Sequence, residues 1–345
     1  MDNFQVIAFL VAAVAAGAPL LFGTLGEILT EKSGNLNLGV EGMMYMGGVA
    51  GLAGAYYYEQ AAGAAASGMT AALIATVCAF LCAAFGALVY SVLTITLRAN
   101  QNVTGLALTI FGTGFGNFVG ELMNNQAGGF ASVGTGTKAV FTGNTALTGL
   151  AKLFFSYNYL VYVGVALAVA LMWFLGRSRT GLNLRSVGEN PGTADAAGIS
   201  VTAYQYAATC LGGGICGLGG MYIVMAQFNG VWQHNCISGK GWIAVALVIF
   251  ATWSPARALV GSLVFGALSI LRFYVPFGGT AFGPIYDTVP YIATVLVLIA
   301  VSIRQKREAS LPPIWAWPTS GRSAETTKEQ EERKTAPPAL LLTGN

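Results

Sequence analysis

Glu27 and Glu41 stand where carboxylates are costly, each in or beside an apolar run long enough to cross a membrane. Between them runs the polar stretch Glu31-Lys32-Ser33-Gly34-Asn35-Leu36-Asn37-Leu38-Gly39-Val40-Glu41-Gly42. Polar side chains and glycines at the entry to a span point to a helix that starts with its backbone exposed inside the bilayer. Two chemistries follow. Asn35, Asn37 and Glu41 could exchange hydrogen bonds with a polar solute crossing a cavity, or they could satisfy the free N–H groups of the broken helix itself. The residue types leave both open. Glu121 and Asp287, near the outer ends of spans, read as interfacial.

A second polar stretch, Arg177 to Thr202, is wedged between two apolar runs. Asn190 is a suitable N-cap, Pro191 fits a first helical turn, Thr193 to Ala197 continue it, and Gly198 suits the left-handed position that ends it. One short helix outside the bilayer is therefore expected, ringed by Arg177, Arg179 and Arg185. The chain has no phosphate loop, since Gly239-Lys240 is followed by Gly241 where Ser or Thr would be needed. Gly112-Thr113-Gly114-Phe115-Gly116 lies within a span with no strand before it. No Ser-His-Asp set or paired-carboxylate site can be assembled, and a lone histidine, His234, excludes a multi-histidine metal centre. These absences argue against an enzyme.

The elements that position these groups follow from composition. Hydrophobic residues make up 55% of the chain and charged residues 9%, and the mean hydropathy is +0.64. A soluble protein carries roughly 25% charged residues, so this is an integral membrane protein. The apolar runs are continuous, which favours helices over a barrel. The fold class expected is an all-α polytopic bundle of about nine spans. They are placed at Val6 to Leu29, Leu38 to Tyr58, Met69 to Leu97, Asn102 to Leu122, Tyr159 to Leu175, Ala203 to Phe228, Gly241 to Thr252, Ala258 to Val275 and Thr288 to Ile303. The seventh is too short to cross alone. It is either one arm of a hairpin closed by Trp253 to Arg257 or a half-helix entered through irregular backbone at Ile237 to Lys240.

Basic residues near span ends set the orientation. Arg304, Lys306 and Arg307 place the C-terminus inside, and counting back brings Arg257, Arg177 to Arg185, Arg98 and Lys32 to the same side. The division is a permease domain over 1–307, with an outer loop at about 124–157, an inner loop at about 177–202 and a polar tail over 308–345 that reads as disordered. The first span has no basic residue before it and reads as retained. The five cysteines form no C-x-x-C pair and read as packing residues. Glycine pairs such as Gly47 with Gly51 and Gly213 with Gly217 fit close helix packing, whereas the Gly212 to Gly220 run reads as a hinge or break.

Three segments carry a resemblance. Glu31-Lys32-Ser33-Gly34 followed by Asn37-Leu38-Gly39-Val40-Glu41-Gly42-Met43 is similar to the signature of permease subunits of nucleoside and simple-sugar ATP-binding-cassette (ABC) importers, in the branched-chain amino acid/ribose-type permease superfamily. Gly188-Glu189-Asn190-Pro191 through Ala194, Ala197, Gly198 and Ile199 resembles that family's coupling loop. Ser238-Gly239-Lys240-Gly241-Trp242-Ile243-Ala244 is the third match. The resemblance spans about Gly23 to Ile303, with Lys32 and Lys240 standing where the family usually has Arg, and with the tail outside it.

The resemblance implies a multi-pass permease of a bacterial cytoplasmic membrane. It would pair with a second permease or a second copy of itself, a cytoplasmic cassette ATPase and an extracytoplasmic binding lipoprotein. This chain would hold no cofactor, and ATP and Mg would bind the ATPase. Gly188, Glu189, Asn190, Pro191, Ala194, Asp195, Ala197 and Gly198 would couple to that ATPase. Glu27, Asn35, Asn37, Glu41 and Trp242 would border the translocation path. The competing readings are a proton-coupled secondary transporter using Glu27 or Glu41, and a passive channel or scaffold.

Overall fold

A computed structural model describes residues 3–144, 147, 149–274, 288–296 and 299. Arg304, Lys306, Arg307, Asp287 and the tail from Glu308 lie outside the described residues, as does part of the ninth expected span. Helices dominate: α1 (Asn3–Glu31), α2 (Val40–Ala62), α3 (Gly68–Ser91), α4 (Gln101–Ala127), α5 (Thr135–Thr142), α6 (Gly149–Phe155), α7 (Tyr159–Arg177), α8 (Arg179–Glu189), α9 (Pro191–Ala196), α10 (Val201–Tyr222), α11 (Lys240–Ala251) and α12 (Pro255–Tyr274). Single π-helical turns extend α3 over Val92–Thr96 and α10 over Ile223–Gln227. Residues 288–296 are helical as well. Among the described residues there is no strand, only an isolated antiparallel bridge between Ser132 and Val231.

The described part of every expected span is largely helical, yet among the described residues five helices, not nine, are long and apolar enough to cross a membrane on their own. They are Gln5–Glu31, Gly68–Thr96, Gln101–Ala127, Tyr159–Arg177 and Val201–Gln227. The reasons are local. The glycines, tyrosines and two glutamates of α2 lower its hydropathy. The helix α11 has 12 residues, about 18 Å of rise, against a hydrocarbon core of about 30 Å. Both readings of that segment hold together: irregular backbone precedes α11, and a tight turn with Thr252 and Trp253 at positive φ leads directly into α12, which packs back on it. The stretch at 124–157 is more helical than a loop, since α4 runs on to Ala127 and α5 and α6 follow. Glu59 fixes α5 by accepting from Gly134 N at 2.7 Å and Thr137 Oγ1 at 2.5 Å.

The centre of the bundle is α10, packed on α1, α2 and α3. Its glycine run is not a break, because helix continues through Tyr222. The glycines serve approach instead. A Cβ at Gly217 would strike Ala83, one at Gly47 would strike Gly217, one at Gly213 would strike Ala87, and one at Gly220 would overlap the Met44 carbonyl. With no hydrophobic force between helices in lipid, such close backbone packing is what holds them. On α4, Gly112 meets Gly42 and Gly120 meets Trp232, whereas Gly114 faces open space. Gly220→Val is expected to abolish folded yield in mild detergent, and Gly114→Ala to leave the yield and melting midpoint unchanged, as read by fluorescence-detected size exclusion.

Candidate functional site

Residues 32–39 connect α1 to α2 without forming a helix, and they do so inside the protein. Ser33, Asn35 and Asn37 are buried, as are Glu27, Glu31 and Glu41. The N–H groups of Lys32, Ser33 and Gly34 turn back to the Ile28, Thr30 and Glu31 carbonyls, and the buried backbone beyond them needs other partners. Polar side chains of α1, α3, α4 and the segment itself supply several of them. Leu36 N donates to Gln101 Oε1 at 2.9 Å, and the Leu36 carbonyl accepts from the Tyr90 hydroxyl at 2.5 Å. Asn37 N donates to Glu27 Oε1 at 2.9 Å. The Leu38 carbonyl accepts from Thr109 Oγ1 at 2.9 Å, and Gly39 N donates to Asn37 Oδ1 at 2.9 Å. Asn35 donates from Nδ2 to Thr209 Oγ1 at 3.0 Å, which ties the segment to α10.

Glu41 performs the same task for a different element. Its Oε1 accepts from Gly239 N at 2.7 Å and its Oε2 from Gly241 N at 2.6 Å. Gly239, with φ of 81°, is the N-cap of α11, and its side chain can cap nothing. The carboxylate of Glu41 therefore satisfies two of the free N–H groups of α11 and complements the positive end of its dipole. At the other end of α11, Trp253 Nε1 donates to Glu31 Oε2. Thr24 Oγ1 donates to the Ala244 carbonyl at 3.2 Å midway along. The short helix is thus attached along its length to α1 and to the start of α2. Glu27 Oε2 is buried without a hydrogen-bond partner among the described residues, one helical turn from Glu31.

Of the five residues expected to border the path, Asn35, Asn37, Glu27 and Glu41 gather around this segment. Apart from Glu27 Oε2, their polar atoms engage backbone and neighbouring side chains, which favours the second of the two chemistries, holding a broken helix together. Trp242 follows Gly241 at the end of α11 that Glu41 holds, and its side chain is 38% exposed. Sequence reasoning missed Tyr90, Gln101, Thr109 and Thr209. Their one signal was a polar side chain within or at the start of an apolar run, and threonine in such a run more often bonds its own helix, as Thr104 does here to Asn100 O.

The polar stretch after α7 forms two helices rather than one. Ser178 caps α8 by accepting from Gly181 N at 2.9 Å. Asn190 caps α9 by accepting from Thr193 N at 3.1 Å, Pro191 takes the first turn, and Gly198 follows at φ of 79°. Glu189, Asn190, Asp195, Ala197 and Gly198 are exposed, and Pro191 is half-buried. Gly188 and Ala194 point inward. Gly188 lies against the Lys32 carbonyl, where any Cβ would collide, and Gln205 Nε2 donates to the Ser33 carbonyl at 3.5 Å. The amine of Lys32 is pushed below its usual range by burial first and the Arg185 guanidinium next, with Glu189 and Glu31 opposing. The α8–α9 platform therefore rests directly on the start of the buried segment. His234 is exposed on the opposite end of the molecule, with Nδ1 at 3.8 Å from Glu121 Oε1.

Identical substitutions at the two carboxylates should diverge. Glu41→Gln leaves one acceptor for two N–H groups and is expected to lower stability by about 2 kcal/mol. Glu27→Gln keeps the oxygen that Asn37 N uses and places an amide beside Glu31, so it is expected to be tolerated. Detergent thermal-shift midpoints of the two variants check the contrast.

A protein of Haloferax volcanii described as a putative glucose ABC transporter permease is 36% identical to this chain over 319 residues, covering 85% of this chain and 91% of that protein. The guanosine ABC transporter permease of Bacillus subtilis is 32% identical over 304 residues, covering 86% and 93%. A nucleoside ABC transporter permease of Lactococcus lactis is 30% identical over 298 residues, covering 81% and 87%. The family described as branched-chain amino acid transport system / permease component matches residues 9–301. With its multi-helix membrane bundle, its buried signature segment and its external helical platform, this chain belongs to that family of ABC transporter permeases.

Proposed function

We propose that the chain is one permease half of an importer that moves a neutral, polar solute, a nucleoside or simple sugar, across the cytoplasmic membrane. A separate ATPase with two cassettes binds ATP and Mg and drives the motion. A second permease, or a second copy of this chain, completes the path, and an extracytoplasmic binding lipoprotein delivers the solute. The C-terminus faces the cytoplasm, on the side of the α8–α9 platform.

The observation that carries this reading is the seat of the platform. Its outer surface, with Glu189, Asn190 and Asp195, is free to receive a partner, while Gly188 presses on Lys32 at the root of the buried segment. A push on α8–α9 therefore reaches residues 32–41, and through the Glu41 carboxylate it reaches α11. The small share of charged residues, 9% of the chain, supports a neutral solute. Importers of this kind need no catalytic group in the membrane chain, because the free energy enters through the partner's change of shape.

Replacing Glu189 and Asp195 together by Arg is expected to reduce ATPase co-purification at least severalfold while leaving the detergent elution profile unchanged. Undiminished co-purification and uptake would count against this docking surface. Gly188→Val is expected to separate the two functions: the ATPase still binds, but uptake falls to background. Uptake that survives ATP depletion yet collapses with the proton gradient would select the secondary-transporter reading instead.

A further inference from the structure

Three cavities lined by described residues differ in what they offer. Two, of about 130 and 230 Å³, carry no charged side chain. The third, of about 390 Å³, opens between α1, α11, α12 and the π turn that ends α10. Its size falls in the range of about 300–1,000 Å³ typical of small-molecule sites. Ala12, Ala15 and Ala16 make one wall smooth and small, and Gln227, Lys240 and Ser269 bring polar groups to it.

These polar groups are oriented by structure already described. Lys240 Nζ donates to Gln227 Oε1 at 2.7 Å, and Gln227 Nε2 donates to the Ala15 carbonyl at 3.4 Å. The amide is thus turned so that its oxygen meets the amine. Lys240 lies between the two glycines whose N–H groups Glu41 grips, which fixes its backbone on both sides. An ammonium with three donors, one of them engaged by Gln227, retains donors for hydroxyl or carbonyl oxygens. The Ser269 hydroxyl, which donates to the Phe265 carbonyl at 2.8 Å, still has lone pairs to accept from a solute hydroxyl. A cationic solute would meet the lysine charge and be refused.

The geometry points to this cavity as the solute-contacting surface of this permease half, with Lys240 and Gln227 as its specificity-determining residues for a neutral solute rich in hydroxyl or carbonyl oxygens. The inference rests on the importer reading and adds to it the site. Glu41 enters as a positioning residue: it does not touch the solute but sets where Lys240 stands, so displacement of the buried segment by the platform would re-aim the amine.

The test uses cells whose own copy of the gene carries each variant, with uptake of a panel of labelled nucleosides, pentoses and hexoses. For the solute that the unsubstituted chain takes up, Lys240→Met is expected to raise KM at least about tenfold, as loss of a charge-assisted hydrogen bond predicts. Maximal rate and membrane abundance should stay within about twofold, and Lys240→Arg should stay near the parent KM. Ser269→Cys should react with a small polar thiol reagent beyond the background of the native cysteines, and the transported solute should protect it. An unchanged KM in Lys240→Met, or labelling of Ser269→Cys without protection, overturns the site while leaving the importer reading intact. Absence of ATP-dependent uptake of any panel member by the unsubstituted chain overturns both.

Discussion

The structure depends on one constraint: a stretch of non-helical backbone buried within a membrane protein must find every hydrogen bond from its surroundings. Residues 32–39 meet it through turn bonds back to the last carbonyls of α1 and through side chains of α1, α3, α4 and α10. An unsatisfied peptide group in such a place costs several kcal/mol, so each of these side chains is held in turn by the segment it serves. Four helices are thereby tied to one connection. The same logic extends to α11, whose free N-terminal groups fall to Glu41 and whose far end is secured through Glu31 and Trp253.

Glycine makes this arrangement possible from the other side. For residues 32–39 to sit inside, the surrounding helices must approach closely, and α10 does so against α1, α2 and α3 through Gly212, Gly213, Gly217 and Gly220. The result is a centre packed backbone to backbone, with large apolar side chains turned outward on α3, α4 and α7. Leu73, Val77, Leu81 and Phe85 on α3 are exposed at helical spacing, as a lipid-facing stripe should be. A rigid centre with a seated platform transmits displacement as a unit, which is what a permease driven from outside the membrane needs.

Much of this was legible in the residues. Continuous apolar runs give helices, and Asn190, Pro191 and Gly198 give α9 almost residue by residue, because capping is a local code. The polar cluster at Glu31 to Gly42 announces a broken helix. Other features were not legible. Helix α8 was overlooked because its sequence is polar and its stabilising contacts, Gly188 on Lys32 above all, are long-range. The glycines of α10 read as weakness since helix propensity is a property of the isolated segment, and packing overrides it. Which use Glu41 makes of its oxygens could not be read from sequence at all, because Gly239 and Gly241 lie about 200 residues away.

The most direct test is amide hydrogen exchange on the chain in its native complex, resolved over residues 32–41 and 237–242. If the buried segment and the N-terminus of α11 are held by the bonds described, both peptides exchange slowly, at rates comparable with α10, and they open together when the platform is perturbed. Fast exchange of residues 32–41 while α10 remains protected would contradict the account. It would mean that Asn35, Asn37 and Glu41 face water in a solute path rather than the backbone they are said to hold.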